Sequence, residues 1–343
     1  MKQCKINFVD YGMWLSKEEN LIIQLLGRKY EVIVSPEPDY LFYGNWGYRH
    51  LDAKYSACIK IYYTSENRFP DFNFCDYALA YPHLQLGDRY FRMPYYMLDT
   101  DYGDTIKDAN APCREFEKMN DVATISKDKA LNRKFCCFLS SSGWADPVRY
   151  EFFSKMSEYK RIDSGGTSLN NMGGGRIPNK MAFLKDYKFT MAFENSNLSG
   201  YTTEKIMNAL AADTVPIYWG DPDVGLDFNK EAFICVNDFE TIEEVVNEVI
   251  RLDNNDEEYL RKLYAPRCTG ANYKAWEENL FHFLVNIVDQ PIAQAKRTSE
   301  YGNLYSHKRD MTAMLYLFSK NKFFAKIIRK GLRLIDKIKK QLK

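Results

Sequence analysis

Short apolar runs alternate with polar, helix-spaced stretches along the first 81 residues. KINFV (5–9) and EVIV (31–34) flank a segment, residues 17–26, whose apolar positions recur at helical spacing, which predicts a strand, helix, strand order. DYLFY (39–43), IKIYY (59–63) and CDYALAY (75–81) are further strand candidates. Strands that are apolar nearly throughout, and separated by helices and polar loops, point to an α/β unit with a mostly parallel sheet covered on both faces.

Residues 99–133 are polar and carry no sustained apolar period, so they read as a linker. KFCCFLSS (134–141) restarts the alternation, and a helix is expected over 147–156, with Asp146 as N-cap and Pro147 at the first helical position. A strand near 160–162, a glycine-rich loop (SGGTSLNNMGGG, 164–175), a helix at 179–186 and the strand KFTMAFEN (188–195) follow. A helix over 203–212, the strands VPIYW (215–219) and FICV (233–236), and a helix at 241–252 complete a second α/β unit. The predicted architecture is two such halves meeting at a cleft, residues 1–130 and 131–290. Residues 291–343 are left for a connecting helix and a tail.

Charge changes this picture only at the tail. The chain has 47 Lys plus Arg against 46 Asp plus Glu, a net of +1. Residues 320–343 alone hold ten basic residues and one acid, Asp336, or +9, which leaves 37 basic against 45 acidic residues, −8, for residues 1–319. An acidic body argues against nucleic acid as a partner. In KNKFFAKIIRKGLRLIDKIKKQLK, Phe324, Ile327, Ile328, Ile335, Ile338 and Leu342 share one helical face and Lys and Arg fill the other. That pattern suits a helix lying in an anionic membrane interface; an amphipathic helix docked on the acidic body is the alternative. No apolar run reaches the ~18 residues of a membrane span, and the N-terminus lacks the apolar stretch of a secretory signal. The eight cysteines show no CxxC spacing and the four histidines no metal-ligand spacing, so free thiols in a reducing cytoplasm are expected.

Candidate chemistry is densest in FENSNLSGYTTEKIMNALAADTVPIYWG (193–220), where a buried strand stops at a polar cluster, Gly200 permits a tight turn and a helix opens with Thr202 or Thr203 as cap. In an open α/β sheet, ligands bind at such strand ends, where helix N-termini present unpaired N–H groups. Glu204 in the first turn is a favourable partner for the helix dipole. Lys205 is disfavoured there, which suggests an anionic ligand such as a diphosphate; spacing alone leaves an ordinary helix lysine equally open. Gly165 and Gly166 are minor candidates for close backbone approach to a nucleotide, or else part of a surface loop. Tyr43, Trp46 and Tyr48 are candidates to stack on a sugar or to fill a core. The pairs Asp99/Asp101 and Asp221/Asp223 have DxD form, but the first lies in the linker and the second in a turn that favours Asp.

FENS, GYTTEKI and VPIYWG together resemble the signature of the bacterial α-1,3/4-fucosyltransferases, which move L-fucose from GDP-fucose to a sugar hydroxyl. YTSENRFPDFNFCDYALAY (63–81) and DRYFRMPYYM (88–97) are similar to that family's N-terminal domain, and CCFLSSSGWADPVRYEFF (136–153) to the opening of its donor domain. The resemblance implies a GT-B-type fold, two Rossmann-like domains facing a cleft, with an acceptor half followed by a GDP-fucose half. It implies that Asn195, Tyr201, Glu204 and Lys205 contact the donor, Glu204 at the ribose and Lys205 at the diphosphate. Arg149, by itself a helix-surface arginine, matches the arginine that faces the phosphates. Glu66 matches the general base, which takes the proton of the attacking acceptor hydroxyl as GDP leaves from the opposite face, with inversion.

Two cations at the diphosphate make a tightly bound metal unnecessary, with divalent stimulation left open. The expected acceptor is an N-acetyllactosamine- or lactose-like glycan, fucosylated at the 3-hydroxyl or the 4-hydroxyl of its N-acetylglucosamine or glucose for Lewis-type surface glycans. The expected location is peripheral, on the inner face of the cytoplasmic membrane, with oligomeric state open. A glycan- or nucleotide-binding protein without turnover, or a transferase for another donor sugar, are the competing readings.

Overall fold

Two fully parallel sheets carry the chain. In the computed structural model, the described residues are 1–11, 20–64, 66–97, 121–140, 143, 145–174, 177–269, 273–298, and helical positions 310, 311, 314, 323, 326, 327, 330 and 331. The first sheet comprises β1 (Gln3–Val9), β2 (Glu31–Val34), β3 (Tyr40–Tyr43), β4 (Ile59–Tyr63), β5 (Tyr77–Ala80) and β6 (Tyr90–Arg92), in the order β2-β1-β3-β4-β5-β6. The second comprises β7 (Lys134–Ser140), β8 (Ile162–Gly166), β9 (Tyr187–Phe193), β10 (Val215–Trp219) and β11 (Ile234–Cys235), in the order β11-β10-β9-β7-β8. Every residue of β4, β9 and β10 is buried, as expected of parallel strands covered on both faces.

The described helices are α1 (Leu21–Gly27), α2 (Lys127–Leu131), α3 (Val148–Tyr159), α4 (Lys180–Leu184), α5 (Glu204–Ala211), α6 (Ile242–Asp253), α7 (Asp256–Leu263), α8 (Tyr273–Asp289) and α9 (Ile292–Ala295). Asn20 caps α1 by accepting the Ile23 N–H at 3.0 Å, and Thr241 and Glu244 form a reciprocal capping box on α6. The structure adds α2, inside the stretch expected to be a linker, α7 and α8 in the second half, and the three-residue β6 in the first, none of which the sequence pattern predicts. The strand placed near 160–162 runs instead through Ser164, Gly165 and Gly166, so the start of the glycine loop is edge-strand backbone.

Packing divides the chain differently from a cut at residues 130 and 290. Ala123 and Ala130 bury themselves with the second sheet, and Leu280, Leu284, Ile287 and Val288 of α8 pack with Ile6, Phe8, Ile59 and Tyr77 of the first. The expected boundary at 290 leaves α8 with the second unit, but its apolar stripe packs on the first sheet. Tyr96 and Met97, beyond β6, join a third cluster with Ile206, Met207 and Leu210 of α5. Residues 98–120, most of the expected linker, lie outside the described residues, as does most of the basic tail.

Each sheet has a switch point where strand order reverses, between β1 and β3 in the first and between β7 and β9 in the second. Segments leaving the carboxyl ends of the two sheets meet: the loop after β4 reaches the loop after β9 through Asn67 and Ser196, and the Tyr81 ring, after β5, stands edge-on to Tyr201 at 5.2 Å. The crevice that α/β sheets offer to ligands is therefore lined from both sides.

Asp76 fastens the returning chain to the first sheet. Its carboxylate, 0 % exposed, accepts from the Lys60 N–H at 2.7 Å, from the Arg297 and Thr298 N–H groups at 2.7 Å each, and from the Thr298 hydroxyl at 2.8 Å. Asp76→Ala strands these donors and is expected to cost about 3 kcal/mol, read from urea unfolding, with new proteolytic sensitivity at 296–298. Wild-type stability in that variant would show that this anchor contributes nothing.

Candidate active site

The loop between β9 and α5 is built around two buried carboxylates. Asp221 accepts from the Gly200 N–H, the Thr202 hydroxyl and the Asp223 N–H, each at 2.8 Å, and Asp223 accepts from the Ser199 hydroxyl at 2.5 Å. The Asp221/Asp223 pair thus shapes the loop. Gly200 has φ +80°, and a Cβ there would lie 2.7 Å from the Tyr81 carbonyl oxygen, so only glycine lets the two units approach this closely.

Glu194 is the second carboxylate, at 0 % exposure. It accepts from the Thr203 N–H at 2.8 Å, from the Thr203 hydroxyl at 2.7 Å and from Lys205 Nζ at 2.7 Å. Thr203 occupies the N-cap position of α5, but its hydroxyl serves this carboxylate, a stronger acceptor, in place of capping. Burial pushes the Glu194 carboxyl above the ordinary glutamate value, against the pull of Lys205. Burial alone would push the Lys205 ammonium down, yet Glu194 and Glu204 together hold it above the ordinary lysine value. At Glu204 burial works upward, while Lys205 and Lys180 bring the carboxyl below its usual range. An anion beside Lys205, which its place at a helix start suggests, is thus supplied within the chain by Glu194.

Arg149 is 0 % exposed and does not lie on a helix surface. Its Nη2 donates to the Phe193 and Glu194 carbonyls at 2.8 and 2.9 Å and to Asn195 Oδ1 at 2.9 Å, and its Nη1 to the Ser140 hydroxyl at 3.2 Å. The guanidinium ties the end of β9 to the end of β7 at the switch point and fixes Asn195. Burial lowers its pKa, with Glu194 opposing.

Glu66 approaches from the first unit. Its N–H donates to the Thr64 hydroxyl at 3.1 Å, which in turn donates to Asn45 Oδ1 at 3.0 Å. Burial raises the Glu66 carboxyl above its ordinary value, and the cations that partly offset this are Arg68 and, across the cleft, Lys205. The buried Tyr201 phenol, raised chiefly by burial, also feels Glu66. The fold therefore gathers Glu66, Tyr201, Glu204 and Lys205 around one crevice, with Asn195 and Arg149 behind it.

The remaining candidates separate. Tyr43 is 4 % exposed and stacked on His50 at 4.1 Å, so it fills the core and offers no face to a sugar. Trp46 and Tyr48 are 59 % and 39 % exposed, and Trp46 follows the Asn45 that holds Thr64. Gly165 and Gly166 are required by strand packing: a Cβ would come within 2.5 Å of Ile177 at the first and 2.4 Å of the Ser140 carbonyl at the second, where φ is +85°. Asp99 and Asp101 lie outside the described residues. Among the described residues, His83, Asp221 and Asp227 bring potential metal-ligand atoms within 4.8 Å of one another. Both carboxylates there are engaged, Asp221 as above and Asp227 in a two-pronged pair with Arg92 at 2.8 and 2.6 Å. Cys4, Cys58, Cys75, Cys136, Cys137, Cys235 and Cys268 are free thiols.

Two parallel α/β units with facing strand ends, and a lysine and carboxylates gathered at a helix start between them, define a GT-B-type glycosyltransferase architecture. The sequence profile of the α-(1,3)-fucosyltransferase FucT N-terminal domain matches residues 6–99, and that of the glycosyltransferase family 10 (fucosyltransferase) C-terminal region matches residues 129–307. The chain belongs to glycosyltransferase family 10, the fucosyltransferases. The α-(1,3)-fucosyltransferase FucT of Helicobacter pylori is 31% identical over 292 residues, covering 77% of this chain and 60% of that protein. Drosophila melanogaster α-(1,3)-fucosyltransferase B is 30% identical over 139 residues, covering 37% of this chain and 30% of that one. This chain therefore spans about 60% or less of the length of these relatives. A crystal structure of an α1,3-fucosyltransferase superposes with a TM-score of 0.69 at 28% identity, over 85% of this chain and 92% of the other. One solved with GDP-fucose gives 0.64 at 27% identity, over 85% and 93%.

Neutralising one side of the buried pair tests whether Glu194 and Lys205 act as a unit. Lys205→Met is expected to lower stability by about 3 kcal/mol, because it leaves a buried carboxylate without its cation, and Glu194→Gln/Lys205→Met should recover at least half of that. Urea unfolding of the three proteins gives the answer; a double variant no more stable than Lys205→Met would separate the two residues.

Proposed function

We propose that the chain is an inverting α-1,3-fucosyltransferase using GDP-β-L-fucose. The observation that carries this reading is geometric: the loop after β4, which bears Glu66, meets the loop after β9 through Asn67 and Ser196, and that second loop leads into the α5 start where Glu194 holds Lys205. On this reading the Glu66 carboxylate takes the proton of an acceptor hydroxyl as that oxygen bonds to the anomeric carbon. The bond from that carbon to GDP breaks on the opposite face, and the electron pair leaves with the diphosphate. Lys205 stabilises the charge that develops there, and Glu204 accepts from the ribose hydroxyls. Arg149 is spent on carbonyls and Asn195, so its contribution is to place Asn195 and the end of β9.

The acceptor in this proposal is the 3-hydroxyl, or the 4-hydroxyl, of N-acetylglucosamine or glucose in a lactosamine-like glycan, with Trp46 and Tyr48 as stacking faces. A resident metal is not needed while a lysine meets the diphosphate. Among the described residues no helix is long and apolar enough to cross a membrane. Phe323 and Ile327 in the basic tail are exposed and helical, which supports a peripheral tail lying on an anionic bilayer at the inner face of the cytoplasmic membrane.

Release of GDP from GDP-fucose, with lactose or N-acetyllactosamine present, tests the reaction. Glu66→Gln is expected to lower turnover by about 100-fold or more. The base must be ionised and burial raises its pKa, so the rate should climb with pH through a limb placed above the ordinary glutamate value. Absence of release by the wild type with any acceptor would sink the proposal, and preferential competition by GDP-mannose or a UDP-sugar would redirect it to another donor. Deleting residues 320–343 should lower recovery on anionic vesicles while turnover of soluble acceptors persists; unfolding of the body would identify the tail as a docked structural helix.

A further inference from the structure

Asn67, next to Glu66 in the base loop, hydrogen-bonds to both units. Its Nδ2 donates to the hydroxyl of Ser196 in the donor loop, and its Oδ1 accepts from the Tyr81 hydroxyl at 2.7 Å. Ser196 follows Asn195, which Arg149 holds at 2.9 Å, and the Tyr81 ring rests edge-on against Tyr201 at 5.2 Å. The amide donates with one arm and accepts with the other, and so makes this bridge without adding charge beside Glu66. Adjacent Cα atoms are about 3.8 Å apart, so fixing Asn67 fixes the Glu66 backbone. That backbone is already braced by the Thr64 hydroxyl at 3.1 Å and by the Arg68 N–H, which donates to the Glu66 carbonyl at 2.6 Å.

We infer that Asn67 is a positioning residue for fucosyl transfer: by bridging Ser196 and Tyr81 it locks the base loop of the first unit to the donor loop of the second, so that Glu66 and the sugar-bearing diphosphate share one rigid frame. The inference rests on the function proposed above. Its chemical consequence concerns alignment. The acceptor hydroxyl must lie between a base carried by one unit and an anomeric carbon carried by the other, and a misplacement of ~1 Å at such a point costs about 100-fold in rate. Loss of the bridge should therefore appear in kcat with GDP affinity preserved, because every donor contact in the function proposed above lies in the second unit.

The test compares Asn67→Ala, Ser196→Ala, their double variant and Ser196→Thr. Each alanine variant is expected to lower kcat by about 10- to 100-fold while the calorimetric Kd for GDP stays within about twofold. The double variant should be no slower than the worse single one, and Ser196→Thr, which keeps the hydroxyl, should regain most of the rate. A second readout is the acid limb of the kcat profile. Glu66 faces Arg68, Lys205, Tyr62 and Tyr201, and opening its loop admits water, so the limb should move to lower pH in both alanine variants. Unchanged kcat, additive losses in the double variant, or a GDP Kd that weakens in step with kcat would each overturn the inference while leaving the fucosyltransferase reading intact. A wild type without transferase activity would end that reading instead. Amide exchange then decides the bridge by itself: Ser196→Ala should speed exchange over residues 64–69 in the opposite unit, and unchanged exchange there refutes it.

Discussion

Taking a glutamate carboxylate out of water costs several kcal/mol unless donors and a cation replace the solvent, and Glu194 sits where both are supplied. The position follows from the sheet. β9 is buried over all seven residues and its neighbour β10 over all five, so the residue that follows β9 emerges at the carboxyl edge with no solvent within reach. Its partners must then come from the next stretch of chain, which folds back as the Thr203 N–H and hydroxyl and the Lys205 ammonium. Satisfying one carboxylate thereby determines where α5 begins, which way Lys205 points, and why Gly220, whose hypothetical Cβ would lie 2.5 Å from Glu194 Cγ, carries no side chain.

The same economy governs the junction between units. Asp221 shapes the loop that brings Gly200 against the Tyr81 carbonyl, and Arg92, which donates to that carbonyl at 3.1 Å, also pairs with Asp227 in the second unit. α8 returns to the first sheet, and its Trp276 indole N–H donates to the Arg92 carbonyl at 3.1 Å. Polar bridges and a returning helix thus hold strand ends from both sheets in register around Glu66, and the third apolar cluster, built from Tyr96, Met97 and α5, backs them on the dry side.

What was legible in the sequence follows from what periodicity encodes. Strands buried on both faces announce themselves as apolar runs, which is why β4 and β10 coincide with IKIYY and VPIYW. The capped helix α6 was equally plain, since Thr241 and Glu244 carry their signal locally. β6 has three residues, too few for a period. The stripe on α8 records that something covers it, but the covering surface lies in the first sheet, far earlier in the chain. Within the site, motif positions led to Glu66, Tyr201, Glu204 and Lys205, whereas Glu194 and Asn67 looked like ordinary polar residues at the end of a strand and in a loop. Nothing local distinguishes a Tyr43 that stacks on His50 from one that awaits a sugar. The hints of Glu194 were its place in FENS and an acid directly terminating a fully apolar strand, with a lysine at an unfavourable helix start nearby.

Lys205 carries a consequence for how an acidic body would accept a nucleotide diphosphate. Its ammonium is already neutralised by Glu194 and lies 3.9 Å from Glu204, and the Arg149 charge is turned inward onto carbonyls. The unliganded crevice therefore offers little net positive charge, and attraction at long range contributes less to donor capture than replacement of contacts at short range. On the proposed reaction, an arriving diphosphate competes with Glu194 for one ammonium, and the affinity gained is the difference between two ion pairs. On that reaction Glu194 and Thr203 stand ready to take the ammonium back once GDP leaves, which returns the buried carboxylate to its cation.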